Sequence, residues 1–209
     1  MRYLIYSLLL TVTFLPGRNS FGQKNNLSIY KLHFDNELKA WTKTMKDFKL
    51  SSFKPSDTIA FENSEYHDVK HLKEFYSIYK PALTFSPDNN KFIDIYSYSM
   101  NLEKKGNKIV YSGSEVDQVI SLCNLNTKKW VKILFCGSSL RIQEATWLTN
   151  TKFMLVGSAQ NEESRYLPVI YIGNMANNSV EILTSSDPTC LQNKGYDSPK
   201  LGKLNIQEE

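Results

Sequence analysis

Residues 82 to 184 carry one β pattern twice, and no other feature of the chain constrains its fold as tightly. "LTFSPDNNKFIDIYS" overlays "ATWLT-NTKFMLVGS", and "QVISLCNLNTKKWVKIL" overlays "PVIYIGNMA-NNSVEIL". Lys91-Phe92 matches Lys152-Phe153, Val119-Ile120 matches Val169-Ile170, Asn124 matches Asn174, and Ile133-Leu134 matches Ile182-Leu183. Short apolar runs bounded by Gly, Asn, Ser and Pro read as strands. Each copy, 82–137 and 141–184, therefore predicts four strands: a short one, a turn, a strong one, a connection, then two more around a second turn. The first copy also holds an inserted hairpin at 100–113, turning at "KKGN".

The turns have local chemistry. In Phe85-Ser86-Pro87-Asp88-Asn89, Pro87 presets φ for the second turn position, and Ser86 and Asp88 can bond nearby backbone amides. Asn89 and Asn90 tolerate the left-handed conformation. This motif, followed by an apolar strand and then by Asn124-Leu125-Asn126-Thr127-Lys128, resembles the TolB-like β-propeller repeat. The second copy keeps Trp147 but has Leu148-Thr149-Asn150 at the turn. The resemblance implies blade-like antiparallel sheets. Propellers carry four to eight blades, so two copies close no ring.

Ahead of the repeats, two stretches have helical spacing. Leu38, Trp41, Met45 and Phe48 predict a helix over Asp35–Leu50, with Asp35 or Asn36 as its cap. Val69, Leu72, Tyr76 and Tyr79 predict a second over Asp68–Lys80, capped by Asp68 and stopped by Pro81. "KFMLVGS" and "PVIYIGNM" are apolar on both sides of the pleat, so their strands need cover on both faces. The two helices are expected to supply it. Residues 185–209 are polar and read as a mostly irregular tail.

The first residues predict export. Arg2 precedes thirteen uncharged residues, Tyr3 to Leu15, the size of a signal-peptide core and too short for a bilayer. Ser20 and Gly22 place cleavage after Gly22. The predicted organisation is thus a signal peptide at 1–22, one α+β domain at 23–184 and the tail. Losing Arg2 and Arg18 lowers the formal charge from +4 to +2, with basic residues scattered among acids. That argues against a nucleic-acid partner, which needs a concentrated basic face. No later segment is long and apolar enough to span a membrane.

Three cysteines in an oxidising compartment invite a disulfide. A hairpin turning near Thr127 sets Cys123 against Val131 or Lys132 and leaves Cys136 more than ~10 Å away, beyond bridging reach. Three free thiols are expected, although Cys190 could reach either of the others if the tail folds back.

Candidate chemistry is sparse. On a helix, His67, His71 and Glu74 in "HDVKHLKE" would share one face and resemble a zinc ligand set. The metalloprotease motif fails at its second position, where Asp68 replaces glutamate. Asp88, Asn90 and Asp94 have alternate spacing but not the loop of a calcium site. Glu115 and Asp117 form a polar loop, and the Gly-Ser stretches "VYSGSEVD" and "FCGSSL" read as turns. Tyr96, Tyr98 and Tyr111 could line a sugar- or peptide-binding face or pack inside.

The reading is a mainly β, α+β monomer of two blade-like antiparallel sheets with N-terminal amphipathic helices, or alternatively a β-sandwich with a helical appendage. Its expected role is non-enzymatic binding of a protein, peptide or glycan in the periplasm or outside the cell, with no cofactor. The alternative is a metal-dependent hydrolase built on His67, His71 and Glu74.

Overall fold

The computed structural model describes residues 27–62, 67–68, 71–204 and 206–207. The expected signal peptide and its cleavage point lie outside them. The described chain opens on a 3-10 turn, Leu27–Tyr30, then α1 (Lys31–Asp35), α2 (Lys39–Thr42), β1 (Met45–Lys46) and β2 (Phe53–Ala60). After these come β3 (His67–Asp68) and α3 (Leu72–Tyr79). The first repeat supplies β4 (Thr84–Phe85), β5 (Lys91–Asp94), the hairpin β6 (Met100–Lys105) and β7 (Lys108–Ser114), then β8 (Gln118–Asn124) and β9 (Lys129–Cys136). The second supplies β10 (Leu140–Trp147), β11 (Lys152–Gln160), β12 (Tyr166–Asn174) and β13 (Ser179–Ser185). The tail adds β14 (Leu191–Gln192), a 3-10 turn and β15 (Ile206–Gln207).

Each repeat forms one antiparallel meander, and the chain is mainly β with a few helices. The first sheet runs β3-β9-β8-β5-β4, and the second runs β10-β11-β12-β13-β2. In both, the segment before the repeats contributes the outermost strand. β6 and β7 form a separate hairpin that β15 joins in parallel.

The matched residues occupy matched places. Lys91 pairs with Asn124, and Lys152 with Asn174. Leu125 N donates to Asn90 O at 2.9 Å, and Met175 N to Thr151 O at 3.0 Å. Asn124 and Asn174 each accept a backbone N–H two residues on, and Lys128 and Asn178 end the turns at φ 53° and 48°. The turns are therefore equal in length. In this half of the repeat the one-residue difference lies in β9, where Ile133 is the extra residue of a bulge between Lys132 and Leu134.

Strand alternation divides the core. Phe153, Leu155, Val169, Tyr171 and Val180 face the first sheet and join Ile93, Leu122 and Val131. Met154, Val156, Ile170 and Leu183 face the other way, where Leu27, Phe34, Leu38, Trp41 and Met45 cover them. On the far side of the first sheet, Phe75 of α3 stacks on Phe92 at 6.0 Å and meets Trp130 edge-on at 5.8 Å. The order of layers is N-terminal segment, second sheet, first sheet, α3. Two glycines are dictated by this packing. A Cβ on Gly173 would stand 2.0 Å from the Phe153 ring, and one on Gly157 would stand 2.1 Å from Arg141 O beside the β10 bulge.

Of the helix expected over Asp35–Leu50 only α2 (Lys39–Thr42) is helical: α1 ends at Asp35, and β1 follows α2. Leu38, Trp41 and Met45 are buried as the spacing required and Phe48 partly so, but the backbone is not one helix. Thr42 and Thr44 turn their hydroxyls onto the carbonyls of Lys39 and Trp41, at 3.0 and 2.7 Å. Met45–Lys46 then pairs with the tail strand, and Asp47 adopts φ 54°. The second expected helix is shorter at its start. Asp68 pairs with Lys129 in the sheet instead of capping, and left-handed His71 (φ 54°) precedes α3. β5 also ends sooner than "KFIDIYSYS" implied. The buried Asp94 carboxylate accepts the N–H groups of Tyr96 and Ser97 at 2.9 and 3.0 Å, turning the chain there.

Candidate functional site

β10 is an edge strand of the second sheet, and among the described residues no strand pairs with its other side. An unpaired buried edge is costly, so its backbone groups need other partners. Side chains provide them. The Gln118 amide donates to Ile95 O at 2.6 Å and Ile142 O at 2.9 Å, and its oxygen accepts from Ile142 N at 2.8 Å. Tyr96 OH donates to Gln143 O at 3.2 Å, and β10 in turn ties down β4, Trp147 Nε1–H donating to Thr84 O at 2.9 Å. One glutamine thus does what a neighbouring strand would do.

The tail completes this edge. Glu144 is buried on β10, and its carboxylate accepts from Tyr196 OH at 2.7 Å and Ser198 Oγ at 3.3 Å. Lys200 Nζ pairs with Glu144 Oε1 and donates to Thr84 Oγ1 at 2.6 Å and Ala145 O at 2.9 Å. Burial, with the Glu144 charge beside it, pushes the Tyr196 hydroxyl well above its ordinary range, so it stays a proton donor. A second anchor lies upstream. The amides of Gln143 and Gln192 bond each other reciprocally at 3.1 Å, Trp41 Nε1–H donates to Gln143 Oε1 at 2.9 Å, and Gln192 reaches Thr44 Oγ1 at 3.2 Å.

Beside the Gln143–Gln192 pair lies a cleft of about 470 Å³. The second sheet lines it with Arg141, Gln143, Ser158 and Tyr166, and the tail lines it with residues 192–195. Ser138, in the turn after β9, closes one end. Ser158 is buried, whereas Tyr166 is 48% exposed. Arg141 is half-buried and donates to Ser99 Oγ at 3.0 Å. Its size is that of a small-molecule site, which typically spans ~300–1,000 Å³. Its lining is mostly amide, hydroxyl and cationic.

The candidates read from the sequence lie elsewhere. His67 is in β3 opposite Trp130, His71 is the left-handed residue before α3, and Glu74 is in the first turn of α3. The helical face that would gather all three is not formed. Asp88 is held within its own turn by Ser86 Oγ at 2.6 Å and Asn90 N at 3.1 Å, and Asp94 is buried in another. Tyr96 and Tyr98 share no strand face, because the chain turns after Asp94. Tyr96 is buried, and Tyr98 and Tyr111 are exposed. Of the stretches set aside as turns, "FCGSSL" supplies Ser138 to the cleft. Arg141, Gln143 and the tail residues were missed: they lie about fifty residues apart, and nothing local marks them.

All three cysteines are free and buried. Cys123 pairs with Trp130, one residue short of the expected register, and Cys136 pairs with Gln118. Five positions of β8 separate the two sites, ~16 Å of strand. Burial pushes the Cys123 thiol up to about 12, helped by Asp94, and pushes Cys136 to about 12 against the pull of Arg141. Neither is a nucleophile at neutral pH. Comparison of the chain with protein-family models, curated proteins and solved structures finds no match.

Proposed function

We propose that this chain is an exported, non-enzymatic binding protein whose ligand occupies the cleft between the second sheet and the tail. The cleft carries the reading. It offers amides, hydroxyls and two cations at a volume suited to a small polar ligand, and its lining sets no imidazole, thiol or carboxylate beside its two serines. Such a surface holds a ligand by hydrogen bonds and has no evident means of activating a nucleophile. The two meanders are read as degenerate TolB-like blades, supported by their repeated turns and matched contacts. Export rests on the pattern of residues 1–22. A monomeric state is supported by the cover on both outer sheet faces. Among the described residues no helix is long and apolar enough to cross a membrane.

The test is a thermal-shift screen of the mature chain against oligosaccharides and short peptides. At least one compound should raise Tm in the parent but not in Tyr166→Ala. Hydrolysis of any panel member, lost on a point mutation, would overturn the non-enzymatic reading. Export is checked separately by intact mass, with an N-terminus at Gln23 expected.

A further inference from the structure

We infer that the ligand of this cleft is an acidic sugar, a uronate-type carbohydrate whose carboxylate is held by Arg141. The inference rests on the cleft being the binding site.

Arg141 is the starting point. A guanidinium has five N–H donors in a rigid fork. The ion pairs among the described residues leave Arg141 without a carboxylate, and its side-chain bond is to the neutral Ser99 hydroxyl at 3.0 Å. The acid three residues along β10, Glu144, is taken by Lys200, Tyr196 and Ser198. The rest of this half-buried fork borders the cleft, where a ligand can reach its N–H groups. A carboxylate matches its fork with two parallel bonds. Lys194, from the tail side of the lining, adds a second positive charge.

The remaining lining fits a hydroxyl-rich ring. Ser138, Ser158 and Asn193 offer donors and acceptors, while the reciprocal pairing of Gln143 with Gln192 fixes two amides across the cleft. Half-exposed Tyr166 presents a ring face on which the apolar side of a sugar can stack. A peptide fits less well. Peptide recognition at a sheet edge needs free backbone groups, and on β10 those of Ile142, Gln143 and Ala145 already bond Gln118, Tyr96 and Lys200.

The experiment is calorimetric titration of the full mature chain at low ionic strength. The probes are a glucuronate-containing disaccharide, its neutral methyl ester and a dipeptide with a free carboxylate. The acid should bind, and the ester should bind on the order of ten- to a hundredfold more weakly, the loss of one charged hydrogen-bonded contact. Arg141→Gln should equalise acid and ester, Arg141→Lys should retain part of the preference, and Tyr166→Ala should weaken both sugars alike. Tm measured on each variant separates loss of fold from loss of contact. Equal binding of acid and ester, both weakened by Tyr166→Ala and neither by Arg141→Gln, would keep the cleft and overturn the carboxylate. Tight binding of the dipeptide with none of the uronate would overturn the sugar. Affinities indifferent to Tyr166→Ala would overturn the cleft itself.

Discussion

Glu144 is nearly inaccessible to water, and the groups that make a buried carboxylate tolerable there come largely from the tail. Lys200, its ion-pair partner, is 56 residues away. "EATWL" reads as a strand, but nothing in it says that the glutamate points inward or what will meet it. Lys200→Met leaves that charge without its cation, and breaking such a pair costs about 3 kcal/mol or more. Urea unfolding should show this loss, and the double variant Glu144→Gln/Lys200→Met should recover most of it. If the single variant is as stable as the parent, the tail is not anchored through this pair. Two aspartates carry opposite pH dependences. Burial raises the Asp94 carboxyl above its ordinary 3.8, against hydrogen bonds from Ser97 and Tyr96 that lower it. The folded state then holds a proton that the unfolded chain has lost, so stability falls as pH rises from 3.8 through the raised value. Hydrogen bonds from Ser86 and Asn90 lower Asp88 to about 2. Its contribution is present above 3.8 and is lost as pH falls toward 2. Urea midpoints from pH 2 to 7 should show Asp94→Asn flattening the high side of this profile and Asp88→Asn the low side.

At the scale of elements, local pattern and tertiary contact divide the work. The eight repeat strands were legible because alternating or continuous apolar runs between Asn, Gly and Pro turns leave few alternatives. The extra residue of the first copy was misplaced. A bulge such as that at Ile133 obeys pairing with a neighbour, which no single strand reveals. The first helix failed for a related reason. The spacing of Leu38, Trp41 and Met45 states which residues must be buried, but α1, α2 and β1 achieve that burial without one continuous helix. Once Met45–Lys46 pairs with Leu191–Gln192, a through-going helix is excluded. The segment still covers the second sheet, and each large side chain it buries contributes about 1.5–3 kcal/mol. Removing residues 23–52 should therefore expose Met154, Val156, Ile170 and Leu183, giving a self-associating product in light scattering. A truncated chain that stays monomeric and unfolds as cooperatively as the parent would make the segment an appendage.

For the whole molecule, two stacked sheets with cover on both outer faces leave the thiols deep inside. Native protein should resist iodoacetamide at pH 8, since Cys123 and Cys136 titrate near 12 and are inaccessible. In denaturant without reductant, three labels per chain should appear by intact mass. A single label, on Cys190, would mean a Cys123–Cys136 bridge and a wrong register for β8 and β9. The cleft belongs to this scale too, which is why it was invisible in the sequence. Arg141 and Asn193 line one cleft only once the tail has folded against β10. The sequence by itself determined the mainly β class, the doubled meander, the asparagine-capped turns and the identity of much of the core. Those features depend on the period of hydrophobicity and on the φ preferences of single residues, both of which are local. Only the tertiary structure decided that Gln118 would stand in for a strand, that the tail would close over β10, and that Arg141 would be left facing a cleft. Each of these is a polar contact between distant residues, and a polar side chain carries no periodic mark of the partner it will find.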